Sequence, residues 1–155
     1  MNHATKAVNW KKITRFEGPE QSLGFLLWQV STQWRRQIES ALSPLELTHP
    51  QFVLLANLGW LTRDGTAVTQ VELARQCKTD ITTTSQVLRS LEKRGYVQRL
   101  KHNNNEKSKF PRLTETGTRL VERAIPIVEA VDHEFFNKLH SDTHKCLEIL
   151  QKLVS

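Results

Sequence analysis

Between Thr69 and Leu100 short apolar periods alternate with polar breaks, in the stretch TQVELARQCKTDITTTSQVLRSLEKRGYVQRL. The pattern predicts two short helices joined by a tight turn and followed by a strand. Thr69-x-x-Glu72 is a capping box, in which the hydroxyl takes an orphan amide and Glu72 reaches back to the cap. Val71, Leu73, Ala74 and Cys77 supply a small apolar face. Lys78-Thr79-Asp80 is a polar turn, with Asp80 placed to cap the next helix. There Ile81, Thr84, Leu88 and Leu91 recur at the spacing of a buried helical stripe. The opposite face carries Thr82, Thr83, Ser85, Gln86, Arg89 and Lys93, with no acid among them. Gly95 stands where a helix end wants a left-handed residue. Tyr96 to Lys101 then reads as a strand, and His102 to Lys109 as a polar, basic hairpin tip.

The flanking chain is helical by the same criterion. Glu20 to Ala41 predicts a long helix with Leu23, Leu26, Leu27, Val30, Trp34 and Ile38 in one stripe, widened by Phe25 and Trp28. So broad an apolar surface implies burial on more than one side. Thr48-x-x-Gln51 is a second capping box, with Pro50 early in the helix that runs through Trp60. Arg63-Asp64-Gly65 is a turn, and Ala67-Val68 a candidate short strand. Thr114 caps a helix lined by Leu120, Val121, Ala124, Val128, Val131, Phe135 and Leu139, with Pro126 as an expected kink. Ser141 is the expected cap of a last helix through Leu153. Residues 1–19 form an arm, broken at Gly18-Pro19.

Charge sharpens the picture. Thr69 to Arg112 holds ten Lys/Arg and four Asp/Glu, a net +6. The 155-residue chain also nets +6, so twelve bases balance twelve acids elsewhere. All the excess positive charge therefore sits on one segment, which points to an anionic partner. A helix, a turn, a helix and a basic hairpin make the layout of a winged helix-turn-helix, and a helix fits the major groove. The expected partner is double-stranded DNA. Thr82, Thr83, Ser85, Gln86 and Arg89 are the base-edge and phosphate candidates, since Gln suits adenine, Arg suits guanine and Thr can meet a thymine methyl. Lys107 and Lys109 are the candidate contacts from the wing.

The expected fold is mainly α with a small β-wing. It comprises an arm over 1–19 and one domain over 20–155, with a head at about 48–112 between dimerisation helices at about 20–42 and 114–154. No apolar run reaches membrane-spanning length, and two cysteines fit a reducing cytoplasm.

In SLGFLLWQVS, LELTHPQFVLLANL, TQVELARQC, LRSLEKRGYVQR and LTETG the chain resembles the MarR/SlyA family of bacterial transcription regulators. The most specific element is Leu91-Glu92-Lys93-Arg94-Gly95 followed by Leu113-Thr114-x-x-Gly117. The resemblance implies a helical homodimer with intertwined terminal helices and two winged heads on a pseudo-palindromic operator. It further implies release from DNA by a small aromatic ligand or an oxidant in many members. The chain departs from the family at the wing, where Asn105-Glu106-Lys107 replaces Asp-x-Arg, and at Gln86, often Arg.

Two other readings share these features: a nonspecific architectural DNA-binding protein, and a winged helix used to dock proteins. His140 and His144 have metal-ligand spacing, but no third donor completes a set, so no metal or other cofactor is expected. Cys77 reads as a core residue. Trp28, Trp34 and Trp60 read as core before ligand cage. No nucleophile-base pair or phosphate-binding loop suggests an enzyme.

Overall fold

The computed structural model describes residues 7–102 and 105–155, with the side chains of 101–109 outside that description. The helices are α1 (Trp10–Ile13), α2 (Leu23–Leu42), α3 (His49–Leu61), α4 (Gln70–Gln76), α5 (Ile81–Lys93), α6 (Glu115–Phe136) and α7 (Thr143–Val154). Strands β1 (Val97–His102) and β2 (Asn105–Leu113) form an antiparallel hairpin, with Val97 opposite Leu113 and Leu100 opposite Phe110. The fold is thus mainly helical with a small β-wing.

Local chemistry sets the boundaries. Both capping boxes form: Thr48 with Gln51 on α3, and Thr69 with Glu72 on α4. Asp80 caps α5, accepting from the Thr83 amide at 2.7 Å. Gly95 ends α5 with φ +76°, its amide bonded to the Glu92 carbonyl and the Tyr96 amide to the Leu91 carbonyl. That pair of bonds is the Schellman closure, which a residue without Cβ adopts at least cost.

The expected Leu113-Thr114-x-x-Gly117 motif acquires a physical cause. The Thr114 hydroxyl donates to the Gly95 carbonyl at 2.6 Å and accepts from the Gly117 amide at 3.0 Å. The Thr114 amide also bonds the Tyr96 carbonyl at 3.1 Å. A Cβ on Gly117 would fall 2.0 Å from that same carbonyl oxygen, so only glycine fits. The end of α5, the base of the wing and the start of α6 are therefore clasped at one point.

The core joins Ile38 and Leu42 of α2 to Leu54, Leu55 and Leu58 of α3, Leu73 of α4, Leu88 and Leu91 of α5, and Leu120, Ala124 and Val128 of α6. Outside it, the far ends of α2 and α7 stay bare. Leu23, Leu27, Trp28 and Val30 are exposed, as are Leu147, Leu150, Leu153 and Val154.

Several expectations are corrected. The first long helix starts at Leu23, because Pro19–Gln21 forms a 3-10 turn and Ser22 supplies the cap. Residues 66–69 are irregular, not a strand. The wing tip is shorter than His102 to Lys109, since β2 begins at Asn105. Ser141 caps nothing: it lies in the 3-10 segment Asn137–Asp142, where His140 at φ 47°, ψ −117° has already broken the helix. That break also removes the regular helical spacing of His140 and His144. Pro126 lies inside α6, which spans Glu115–Phe136. Val71 and Ile81 lie at the edges of their stripes and are exposed.

At the junction of α2, α3 and α6, the Trp34 indole donates to Asp132 at 2.7 Å and meets the His49 ring edge-on at 5.0 Å. Burial holds the His49 imidazole below its ordinary pKa; Glu39 and Asp132 pull it up and Arg35 pushes it down. The folded chain therefore binds fewer protons than the unfolded one as pH falls through the ordinary histidine value of 6.5. Its stability is full above that value and erodes below it. Urea midpoints should be lower near pH 5.5 than near pH 7.5, and His49→Gln should reduce the difference. An equal pH dependence in the variant would remove His49 as the cause.

Candidate nucleic-acid interface

Helix α5 is set up from both of its ends. Before it, Lys78 takes a left-handed φ of 51°, with its amide on the Arg75 carbonyl and the Thr79 amide on the Ala74 carbonyl. A lysine thus fills the place where glycine is easiest. Thr84 is fully buried, yet its hydroxyl is satisfied by the Asp80 carbonyl at 2.9 Å and the Thr79 hydroxyl at 2.8 Å. These bonds fix the turn relative to the first helical residues of α5. At its far end, Arg99 of β1 bonds Glu92 at 3.3 Å, bracing the wing against the helix. Arg94 reaches the Glu46 carbonyl at 2.7 Å, and Gln51 reaches the Ser90 hydroxyl at 3.2 Å. Helix α5 is therefore held in orientation by polar contacts around it as well as by Leu88 and Leu91.

On a helix of 3.6 residues per turn, Thr82, Gln86 and Arg89 fall on one line, with Thr83 and Ser85 on opposite flanks. Thr82, Thr83, Gln86 and Arg89 are exposed, and Ser85 is half-buried. Lys93, which the sequence places on this face but not among the contact candidates, is exposed on that same line one turn further on. Among the described residues Arg89 has no ion pair, so its guanidinium is uncommitted. Thr83 differs. Its hydroxyl donates to the Asp80 carboxylate at 2.6 Å, and that bond, with the Thr83 amide, holds the Asp80 carboxyl below the usual carboxylate range. What Thr83 can still offer outward is a methyl group and an acceptor oxygen.

Lys107 and Lys109 belong to β2, and the backbone register sets Lys109 opposite Lys101. Their side chains lie outside the described residues. Cys77 is half-buried against the core, and burial pushes its thiol pKa up, which leaves a poor nucleophile. No group of three or more His, Cys, Asp or Glu side chains able to hold a metal exists among the described residues. Among them too, no helix is long and apolar enough to cross a membrane.

A helix-turn-helix closed by a hairpin wing and held between long helices defines a winged-helix protein. The family model for the MarR family matches residues 47–109. The HTH-type transcriptional regulator YdcH of Bacillus subtilis is 42% identical over 79% of this chain and 84% of its own length. The chain belongs to the MarR family of winged-helix transcription regulators. Among solved structures, the Mycobacterium tuberculosis MarR family protein Rv2887 in complex with DNA is 32% identical. It matches 86% of this chain and 98% of its own, with a TM-score of 0.66. The same protein in complex with salicylic acid matches 85% and 96%, also with a TM-score of 0.66. A mutant MarR of Escherichia coli complexed with operator DNA is 29% identical over 85% of this chain and 92% of its own, with a TM-score of 0.73.

Proposed function

We propose that this chain is a dimeric regulator that binds a pseudo-palindromic operator in duplex DNA through α5 and the wing. It acts as a repressor or anti-repressor and leaves DNA when a small aromatic ligand binds. The observation that carries the reading is the acid-free exposed face of α5, standing beside a basic wing on a rigidly clasped head. The relatives solved with DNA and with salicylic acid support the two kinds of partner. The repressor role is supported by relatives such as the 34% identical HTH-type transcriptional repressor Rv2887.

Dimerisation rests on the bare faces of α2 and α7, where Leu23, Leu27, Trp28, Leu150 and Leu153 expose 40–85% of their surface. The segments at about 20–42 and 114–154 serve as the dimerisation unit, and about 48–112 as the head. A two-fold dimer then presents two α5 helices to successive major grooves. The reading assigns no catalytic step and places the protein in the cytoplasm with its DNA.

Gel shift against genomic fragments with competitor DNA is the direct test. Retention of a discrete fragment under excess competitor supports the operator reading, and equal loss of all fragments favours the nonspecific architectural one. A dimer neutralising about eight phosphates should give a slope of log affinity against log salt near about −7. A slope near zero would exclude the basic face as the binding surface.

A further inference from the structure

Between α2 and the head the chain turns within a few residues. Ser43–Leu45 forms a 3-10 turn, and Glu46 follows at φ 51°, ψ 36°, a left-handed conformation that favours glycine. The Glu46 amide closes the turn on the Ser43 carbonyl at 2.9 Å, and the flanking Leu45 and Leu47 are buried. The Glu46 carbonyl accepts from Nη1 of Arg94 at 2.7 Å. Arg94 is the half-buried C-cap of α5, with its guanidinium 5.0 Å from the Tyr96 ring centroid. Its Nη1 also approaches Gln51 Oε1 at 3.4 Å. Gln51 in turn closes the capping box of α3 and donates to the Ser90 hydroxyl of α5 at 3.2 Å. One guanidinium thus ties together the exit of α2, the start of α3 and the end of α5. Among the described residues, every polar contact between residues 43–47 and α5 with its cap runs through Arg94.

We propose that Arg94 is a positioning residue that sets the angle between α2 and α5, and through it the half-site spacing that the dimer accepts. Apolar packing is non-directional, so Leu88 and Leu91 alone leave α5 some freedom to rock. A planar guanidinium with fixed donors removes that freedom. Its bond goes to a backbone carbonyl, so it holds the path of the chain and not a mobile side chain. The Glu46 carboxylate adds little: it stands 3.9 Å from Nη2, on a side chain that is 88% exposed. Because its donors are spent inside the chain, Arg94 leaves base choice to the exposed face of α5.

The spacing consequence rests on the operator reading above, whereas the angle does not. In a two-fold dimer a change of the α2–α5 angle occurs twice, so it alters both the separation and the relative twist of the two α5 helices. One base pair moves a half-site about 3.4 Å along the duplex and about 35° around it. A pair of heads held rigidly cannot follow that step, and a pair free to rock can.

The test compares the fragment retained in the gel shift above, the same fragment with one base pair added or removed at its centre, and an isolated half-site. Arg94→Gln should weaken the parent fragment about tenfold and leave the other duplexes unchanged, so that preference for the parent spacing narrows. Arg94→Lys keeps one donor group without the fork and should fall between, which guards against a misfolded Gln variant. Glu46→Gln keeps the carbonyl and should behave as wild type. An equal loss on every duplex with a shallower salt dependence would make Arg94 a phosphate contact and overturn the proposal. So would an unchanged preference among spacings. The angle is read without DNA from spin labels at Arg36→Cys on α2 and Thr82→Cys on α5, both exposed positions. The labelled chain carries Cys77→Ala and Cys146→Ala and is diluted in unlabelled protein, so that only distances within one chain are measured. A distance that shifts or broadens with Arg94→Gln supports the positioning role, and an unchanged one overturns it. Wild-type protein without any spacing preference, in which the label distance still responds to Arg94→Gln, sinks the operator reading and leaves the angle assignment standing.

Discussion

Leu27→Asp should yield a folded monomer whose operator affinity is lower by about 10²–10⁴. Leu27 exposes 57% of its surface on a face of α2 continued by Leu23, Leu26 and Val30, far from the core. In a two-fold dimer one substitution enters the interface twice. A carboxylate in an apolar contact either stays unpaired at a cost of several kcal/mol or takes up a proton, and both oppose association. The head is spared, because its packing runs through Ile38 and Leu42 further along the same helix. Separated heads lose the effective concentration that makes the second half-site nearly free to bind, which gives the size of the loss. Sedimentation and gel shift on one preparation test this. A dimer with unchanged operator affinity would show that the bare face of α2 serves something else.

Arg89→Ala is the second large effect. Arg89 is exposed, unpaired among the described residues and aligned with Gln86 and Thr82, so it is free to reach a base edge. A bidentate arginine–guanine contact contributes about 1–3 kcal/mol, so a dimer with two should lose about 2–6 kcal/mol. Preference at one symmetry-related base pair should vanish while the other positions keep theirs. If Arg89 holds a phosphate instead, affinity falls by a similar factor on every sequence and the salt slope drops by about one per head. Competition with singly substituted operators at two salt concentrations separates these outcomes. Gln86→Ala is the comparison, since the amide carries no charge and its loss leaves the slope alone.

What could be read in the sequence was what is decided locally. The capping boxes at Thr48 and Thr69, the cap at Asp80 and the left-handed Gly95 each involve residues within about one turn, and all appear as expected. The acid-free face of α5 was legible for the same reason, as helical phase is a property of spacing. Harder cases depend on what lies across the fold. Val71 and Ile81 satisfy the apolar period, but whether a stripe's edge is covered depends on the width of the neighbouring element. The left-handed Lys78 is imposed by the closure between α4 and α5, with nothing in Lys-Thr-Asp to announce it. The bond from Trp34 to Asp132 spans 98 residues and has no periodic signature. Ser141 has the right chemistry for a cap, but the chain had already turned at His140. Thr83 was legible as exposed, though its engagement by Asp80 was not.

The clasp of Gly95, Tyr96, Thr114 and Gly117 makes the wing a replaceable part. Both legs of the hairpin are anchored at its base, through the Tyr96 carbonyl and the Thr114 hydroxyl, and neither anchor uses a residue of the tip. Tips of other lengths or charges can therefore be spliced between β1 and β2 while α5 and α6 keep their mutual angle. On the proposed DNA-binding reading, what the tip contacts and what α5 contacts become separate variables, open to independent change in natural lineages and in engineered chimaeras.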